Sequence, residues 1–300
     1  MPRSAFWPAI SLAVMLVLTA NTASLAQQST QDLAEAAQNP IAAMISLPLQ
    51  NNIYGEVGPN HNATGNVFNI QPVIPITLGD WNIISRTIAP LIYQPSLATL
   101  PSETFELGQF SSSHFGLGDI NQSFFFSPAN ATGLIWGVGP TFDLPTATAT
   151  ALGSGKFSMG PAAVALVIPK PFLIGALAHQ LWSVAGSSNQ PDVSQLLIQP
   201  FINYNMEDGW YLVSSPIITA NWEAPSNKWA FPIGAGFGKI FKIGAQPMNF
   251  NLQAYDYVKS PVSGPRWAVR AQLQLLFSKM TARPSASGRW DVTTIVGSLT

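Results

Sequence analysis

The sequence predicts an all-β protein: a transmembrane, antiparallel, up-and-down β-barrel of about twelve strands with a short N-terminal helical segment. Three observations lead to this prediction. Short and long connections alternate from residue 51 onward, polar and apolar residues alternate within the strand-like segments, and charged residues are scarce. Only 9% of the 300 residues are charged while 47% are hydrophobic, whereas a water-soluble domain usually carries about 25% charged residues. A surface this apolar indicates contact with lipid.

The connections between the strand-like segments are of two kinds, in strict order. The tight ones lie at residues 79–80, 128–132, 169–171, 207–209 and 242–246. The longer ones lie at residues 58–65, 94–117, 145–155, 185–193, 223–228 and 259–265. Outer-membrane barrels have short turns on the periplasmic side and longer loops outside, so the alternation predicts that orientation. Pro169 and Pro171 break the best internal candidate for a membrane helix, residues 161–178, so no such helix is expected.

Period-two alternation is clearest in the predicted last strand. Arg270, Gln272 and Gln274 fall on one face, and apolar residues between Trp267 and Phe277 fall on the other. Segments of about eleven to thirteen residues fit a tilted membrane crossing better than the five or six residues typical of soluble sheets. Prolines within the strands argue against a regular wall, because each removes one backbone donor. They are Pro72, Pro75, Pro140, Pro200, Pro216 and Pro232.

Aromatic residues collect at both ends of the predicted strands. Those that flank the tight turns are Trp81, Phe126, Phe172, Trp210, Tyr211 and Phe241. Those toward the long loops are Tyr93, Phe142, Trp182, Trp222, Trp229, Tyr257 and Trp267. Two such girdles are expected where amphipathic rings lie at the level of the lipid headgroups.

The chain begins like an exported bacterial protein. Met1-Pro2-Arg3 carries positive charge, residues 5–20 are apolar, and Ser24-Leu25-Ala26 ends in a small residue, which predicts a signal peptide over residues 1–26. Residues 27–50 are predicted to form a short helical segment, with a second turn over residues 41–46, that plugs the lumen or lies at the periplasmic mouth. The barrel is predicted over residues 51–278 and a polar tail over residues 279–300.

Several strings in the chain are shared with a known family. They are Asn39-Pro40-Ile41-Ala42 and residues 46–52, 69–75, 116–121, 136–142, 144–148 and 199–205. Over residues 30–278 the chain resembles a proteobacterial outer-membrane family usually labelled "transporter" or "neuromedin U", which is similar to the phenol-degradation MetA-pathway barrel family. The resemblance implies a barrel at the outer membrane that passes small apolar or aromatic compounds. The chain departs from the usual pattern by continuing past Phe277, because outer-membrane strands usually end the protein on an aromatic residue.

No enzyme is expected, because the side chains needed for catalysis do not form a working pattern. A hydrolase needs a histidine beside a serine, oriented by a third polar group. His61 and His114 fall in predicted loops, and no serine lies two residues after His179. Residues 111–113 are serines that precede His114, but sequence neighbours in a loop rarely form a working pair. No cluster of His, Asp and Glu has the spacing of a metal site, and no cofactor is expected.

The predicted function is an outer-membrane channel or transporter for the passive passage of small solutes in a Gram-negative bacterium. A closed structural or lipid-interacting barrel is the alternative, and a membrane-embedded hydrolase is less favoured. Expected partners are outer-membrane lipid, a small-molecule solute and the barrel-assembly machinery during insertion. Nucleic acid is not expected, because no basic patch with interleaved aromatic residues occurs.

A set of mostly amide side chains is predicted to line the channel. The predicted residues are Asn69, Gln71, Arg86, Asn121, Thr141, Gln199, Asn203, Asn249, Asn251, Gln253, Arg270, Gln272 and Gln274. Arg86 and Arg270 are expected to point inward, because a charge on the lipid-facing wall costs about 2–4 kcal/mol at mid-membrane. Both alternatives stay open for these two residues: they pair with lumen carboxylates and brace the barrel, or they set selectivity.

Overall fold

The part of the protein that the structure describes is almost entirely β-structure with very little helix. The structure, a computed structural model, describes residues 30–103 and 107–277. They form the helix α1 (Thr30–Gln38) and the strands β1 (Ile45–Val57), β2 (Ala63–Ile70), β3 (Val73–Leu78), β4 (Trp81–Gln94), β5 (His114–Leu117), β6 (Ile120–Pro128), β7 (Leu134–Leu144), β8 (Lys156–Val167), β9 (Phe172–Gly186), β10 (Ser194–Asn205), β11 (Trp210–Ser214), β12 (Ile218–Asn221), β13 (Trp229–Ile243), β14 (Gln246–Lys259) and β15 (Trp267–Phe277). Two single 3₁₀ turns lie at Thr150–Leu152 and Glu207–Gly209.

The strands form one closed antiparallel barrel with twelve strand positions around the ring, here called staves. The first strand pairs with the last, from Ile45 opposite Phe277 to Gly55 opposite Trp267. Three positions in the ring are shared by two strands each: β2 with β3, β5 with β6, and β11 with β12. The remaining staves are single strands, and β9 pairs with β10 to complete the circle. The pairing of the first strand with the last closes the sheet into a ring, and the predicted fold class is confirmed.

The prolines explain why two of the staves are divided. Pro72 separates β2 from β3, and Pro216 lies between β11 and β12. A proline has no N–H to donate to the neighbouring strand, so the ladder breaks locally and resumes beyond it. Pro232 coincides with a shift of register between β13 and β14, whereas Pro140 and Pro200 lie inside β7 and β10. The wall therefore accommodates all of these prolines without losing closure.

The outer surface of the barrel is apolar, with aromatic residues near both ends of the strands. Exposed large apolar residues between the two ends include Val138, Ile174 and Ile233. Trp210 lies at the tight-turn end, and Lys239 places its Nζ 4.6 Å from the centroid of the Trp210 ring. A lysine on an aromatic ring at this level keeps its ammonium near water while its stem covers apolar surface.

One aromatic residue predicted in the girdle lies inside the barrel instead. Tyr211 is only 1% exposed, and its hydroxyl donates to Oδ1 of Asn249 at 2.6 Å. Neighbours in a strand point to opposite faces, so Tyr211 must face inward once Trp210 faces outward. The space for its ring comes from Gly238, where a Cβ would overlap the Tyr211 ring.

The first strand begins at Ile45, earlier than the predicted start of the barrel at residue 51. The second helical turn predicted over residues 41–46 is therefore wrong, because Ile45 and Ser46 already pair with β15. The strand begins earlier than predicted because residues 46–50 already show strand alternation. Ser46, Pro48 and Gln50 point inward, and Leu47 and Leu49 point outward. The predicted signal peptide over residues 1–26 and polar tail over residues 279–300 lie outside the described residues.

The segment before β1 lies inside the barrel at its tight-turn end. Ile41 is buried among Val73, Ile84 and Phe125, and Leu33 of α1 packs in a cluster with Tyr211. Polar contacts attach the helix to the tight turns: Lys170 lies 2.9 Å from Glu35, and Gln38 donates to Asn205 at 2.7 Å. Among the described residues, no helix has the length and hydropathy needed to cross a bilayer.

Candidate functional site

The barrel interior contains a polar cavity of about 150 Å³, here called the lumen cavity. Side chains from β1, β3, β4, β9, β10, β11, β14 and β15 line it, together with Gln71 and Ser215 at the two proline breaks, Glu103, and residues 36–44 at the end of α1 and after it. A water molecule needs about 10–15 Å³ of such space, so the lumen cavity has room for on the order of ten waters.

All thirteen residues predicted to line a channel lie on the inner face of the wall. Ten of them line the lumen cavity: Gln71, Arg86, Gln199, Asn203, Asn249, Asn251, Gln253, Arg270, Gln272 and Gln274. The other three, Asn69, Asn121 and Thr141, are buried outside it. Whether any of the thirteen contacts a passing solute stays a prediction.

The amides on β14 and β15 are held by each other. Asn249 donates to Gln274 at 3.1 Å, and Gln253 donates to Asn251 at 2.9 Å. Inward positions on antiparallel neighbours lie side by side, so short ladders of amides form along the wall. These ladders fix the orientation of the groups that the lumen cavity presents.

Asn121 and Thr141 belong to a separate polar cluster on β6 and β7. Asn121 donates to Thr141 at 3.0 Å and to Asp143 at 2.7 Å. Ser123 donates to Asn121 at 3.0 Å and lies 2.8 Å from the Thr141 hydroxyl. The side chains satisfy one another, so this cluster braces the wall.

A loop carboxylate that the sequence did not indicate reaches into the lumen cavity. Glu103 belongs to the β4–β5 loop, which the structure describes over residues 95–103 and 107–113. Its Oε2 accepts from Arg86 at 2.8 Å, and its Oε1 accepts from Gln50 at 2.9 Å and from Gln71 at 3.3 Å. Arg86 and Glu103 are both largely buried, so they form an ion pair inside the barrel. For Arg86, the bracing alternative is the one that the contacts favour.

Arg270 has a different environment. Its Nε donates to Oδ1 of Asn52 at 2.9 Å, and its Nη1 donates to the Ser215 carbonyl at 2.8 Å. The guanidinium carbon lies 5.2 Å from the centroid of the Tyr255 ring. The carbonyl of Ser215 is available because Pro216 interrupts the stave at this point. Neutral groups therefore hold Arg270 in place.

Apolar layers lie on both sides of the lumen cavity. The turn-end layer consists of Ile41, Val73, Ile84 and Phe125 with the cluster that surrounds Leu33 and Met44. The loop-end layer includes Ala98, Leu100 and Leu107 of the β4–β5 loop and Leu152 of the β7–β8 connection, packed on inward residues of the wall. The polar cavity is thus bounded toward each end by packed side chains.

One serine and one histidine come within hydrogen-bonding distance near the loop end. Ser112 Oγ lies 3.0 Å from Nε2 of His114, although sequence reasoning rated such neighbours a poor pair. The cross-strand partner of His114 is the fully buried Gln94, so His114 points inward, whereas Ser112 precedes β5 and the contact between the two side chains is exposed. In the part of the chain that the structure describes, no side chain is hydrogen-bonded to Nδ1 of His114. The third, orienting group of a hydrolase is not seen among these residues.

No group of three His, Cys, Asp or Glu side chains within residues 30–103 and 107–277 could hold a metal ion. His61 is in an exposed contact with the Glu56 carbonyl, and His179 is buried on β9. The ligand sets that transition metals need are not assembled among these residues.

Comparison with known proteins gives a structural match and no sequence match. No protein-family profile matches the chain, and no curated protein matches its sequence. The solved structure of an outer membrane channel from Pseudomonas putida F1 matches with a TM-score of 0.52 at 12% identity, over 78% of this chain and 96% of that chain. At this identity the likeness establishes the barrel fold alone. Outer membrane phospholipase A from Escherichia coli matches with a TM-score of 0.42 at 14% identity, over 87% of this chain and 98% of that chain, which is too low to support an argument.

Proposed function

We propose that this protein is an outer-membrane β-barrel channel for the passive passage of small solutes. The observation that carries the proposal is the lumen cavity, a polar space inside a closed wall whose outer surface is apolar. A wall with an apolar exterior and an amide-lined interior suits a barrel that separates lipid from water. The shared fold with a protein solved as an outer membrane channel supports the same function.

Packed apolar side chains lie toward both ends of the lumen cavity. Solute has to pass the turn-end layer, which Ile41 completes, and the loop-end layer, to which Leu100 and Leu107 contribute. Both layers are built partly from segments outside the wall, namely the residues before β1 and the β4–β5 loop. We infer that movement of the residues before β1 and of the described part of the β4–β5 loop opens the path while the hydrogen-bonded wall stays intact.

Location in the outer membrane follows from the same proposal. The aromatic residues at both strand ends and the contact of Lys239 with Trp210 mark the two headgroup levels. The signal peptide, its cleavage near residue 26, the assembly machinery as a partner and the named family all remain proposals. Fractionation of the producing cell is the direct check, and recovery of the chain from the soluble periplasmic fraction would contradict it.

Reconstitution in planar bilayers tests the channel. The full-length protein, purified in detergent and confirmed as a folded barrel by its heat-modifiable gel mobility, is expected to give discrete conductance steps. Folded protein that gives neither conductance nor solute flux in vesicles would instead support a closed structural or lipid-interacting barrel. The two packed apolar layers are the observation that favours this second function.

A hydrolase is a third function, which the 3.0 Å contact between Ser112 and His114 keeps in view. Incubation with a fluorophosphonate probe tests it, because an activated serine becomes covalently labelled. We expect no labelling of Ser112. Labelling that Ser112→Ala abolishes would overturn the assignment as a channel without catalytic activity.

A further inference from the structure

We propose that the lumen cavity binds a small organic monocarboxylate, with Arg270 as the residue that receives the carboxylate and apolar lining residues that receive its body. This inference rests on the proposed channel function and names the solute class that the channel takes. It is carried by the charges and contacts around Arg270.

The lining of the lumen cavity has an unbalanced positive charge. Among the described residues, its charged members are Arg86, Arg270 and Glu103. Arg86 and Glu103 form an ion pair at 2.8 Å and neutralise each other. Two positive charges less one negative charge leave a net charge of one positive unit, and that unit belongs to Arg270. An unbalanced charge on a side chain as buried as that of Arg270 favours a ligand of opposite sign.

No carboxylate of the chain supplies that opposite charge within the described ranges. None of the ion pairs among residues 30–103 and 107–277 includes Arg270. Its contacts are the Asn52 amide oxygen, the carbonyl and hydroxyl of Ser215, and the Tyr255 ring, all of which are neutral. Buried charges are usually paired, so an arginine with only neutral partners beside a polar cavity is a place for an anion.

The guanidinium is held in one orientation with donors left over. Arginine has five N–H donors in a planar fork. The protein uses Nε toward Asn52 and Nη1 toward Ser215, and no described residue accepts from Nη2. The Tyr255 ring lies beside the guanidinium, with its centroid 5.2 Å from the guanidinium carbon, which limits movement on that side. A carboxylate therefore meets a fixed donor, and charge-assisted bonds of this kind are about twice as strong as neutral ones.

The remaining lining explains why the ligand is expected to have an apolar part. Leu177, Phe201 and Val213 line the lumen cavity from β9, β10 and β11, and Met44 lines it from the segment before β1. The other lining side chains are mostly amides, which donate to a carboxylate as readily as they accept from a neutral group. A small carboxylate with an aromatic or aliphatic body contacts both the amides and the apolar side chains. A cation is repelled by the positive charge of Arg270.

The test measures binding to the full-length protein in detergent, without any need for conductance. The probes are sodium benzoate, the neutral isostere benzamide, and benzylamine hydrochloride as a cation. Thermal unfolding and isothermal titration are expected to show benzoate binding at least about tenfold more tightly than either of the other two, because only benzoate makes the charge-assisted bond. Equal binding of benzoate and benzamide by the wild-type protein, or no binding of benzoate, would overturn the proposal before any variant is made.

Variants then locate the site. Arg270→Gln is expected to remove the preference for benzoate over benzamide, and Arg270→Lys to retain part of it because the charge remains without the fork. Arg266→Gln is the matched control, since Arg266 lies outside the lumen cavity with a side chain 61% exposed. Loss of the preference in Arg266→Gln, or full retention in folded Arg270→Gln, would refute the assignment.

The outcome separates this inference from the proposed channel function. Benzoate binding that depends on Arg270 in a protein without conductance would leave the site standing and remove the channel. Conductance that is insensitive to benzoate, in a protein that does not bind it, would leave the channel standing and remove the site.

Discussion

Glu103→Gln is expected to release the β4–β5 loop from the barrel interior. The carboxylate of Glu103 accepts from Arg86, Gln50 and Gln71, and its side chain is 5% exposed. A glutamine in its place has one oxygen and turns its NH₂ group toward another donor. Arg86 then keeps Gln71 as its acceptor, at 3.0 Å, but has lost its counter-charge.

The size of the effect follows from the burial of the pair. Removing one partner of a buried ion pair costs about 3–5 kcal/mol, because the other charge is left uncompensated. This cost acts on the loop position in which Glu103 is inside the barrel. Each 1.4 kcal/mol shifts the equilibrium between that position and the released one about tenfold. The expected shift toward the released position is therefore on the order of a hundredfold or more. The apolar contacts of Leu100 and Leu107 in the loop-end layer are unchanged by the substitution.

Single-channel recording measures the consequence as open probability. Glu103→Gln is expected to raise it strongly, and the double variant Arg86→Gln with Glu103→Gln to fall back toward wild type, because position 86 then carries no charge that needs a partner. Glu223→Gln, an exposed loop carboxylate, serves as the control and is expected to behave as wild type. Unchanged open probability in Glu103→Gln, with unchanged thermal stability, would refute the role of the ion pair as the loop anchor.

Three further substitutions address the wall and its contents. Leu252→Arg, on the outer face at the middle of β14, is expected to lower the free energy of unfolding in lipid vesicles by about 2–4 kcal/mol. The control Ile243→Arg, at the tight-turn end, is expected to lower it by only about 0–1 kcal/mol. Equal losses for the two variants in urea titrations would contradict the lipid-facing assignment of Leu252. Gly238→Val is expected to cost about 1–3 kcal/mol because the new side chain overlaps the ring of Tyr211, and purely additive effects of Gly238→Val and Tyr211→Ala would show that the two sites do not touch. Ile41→Asp places an unpaired carboxylate in the turn-end layer and is expected to raise conductance, which planar bilayers would reveal; conductance at the wild-type level would count against this layer as a barrier.

The wall of the barrel could be predicted because its pattern is local. The inward positions of Arg270, Gln272 and Gln274 follow from period-two alternation, which any strand with one polar face displays. The same rule, applied to Trp210 and Tyr211 together, would have placed only one of them in the girdle. Nearness to the turn at residues 207–209 does not distinguish Trp210 from Tyr211, whereas alternation does.

The prolines within the strands argue against a regular barrel wall, yet in the structure two of them lie beside residues of the lumen cavity. Pro216 interrupts a stave and thereby leaves the carbonyl of Ser215 to accept from Arg270. Pro72 lies beside Gln71, which contacts both Arg86 and Glu103. The sequence shows that a donor is missing at these positions, but not what the neighbouring backbone and side chains contact in return.

The contents of the lumen could not be predicted, because they depend on distant parts of the chain. Glu103 lies 53 residues from Gln50, and the path of a loop fixes their contact rather than any periodicity. The two alternatives for the lumen arginines illustrate the same limit. Arg86 has a carboxylate partner and Arg270 has neutral ones, and that difference depends on where the β4–β5 loop folds.

The turn-end layer is connected to the wall by a very short segment of chain. Ile41 precedes Ile45, the first residue of the first stave, by four positions, and Ile45 is fastened opposite Phe277. Four fully extended residues span at most about 14 Å. Ile41 can therefore lie no further than this distance from Ile45, so a bulky label at Ile41 would stay close to the tight-turn end of the barrel whatever the position of the segment.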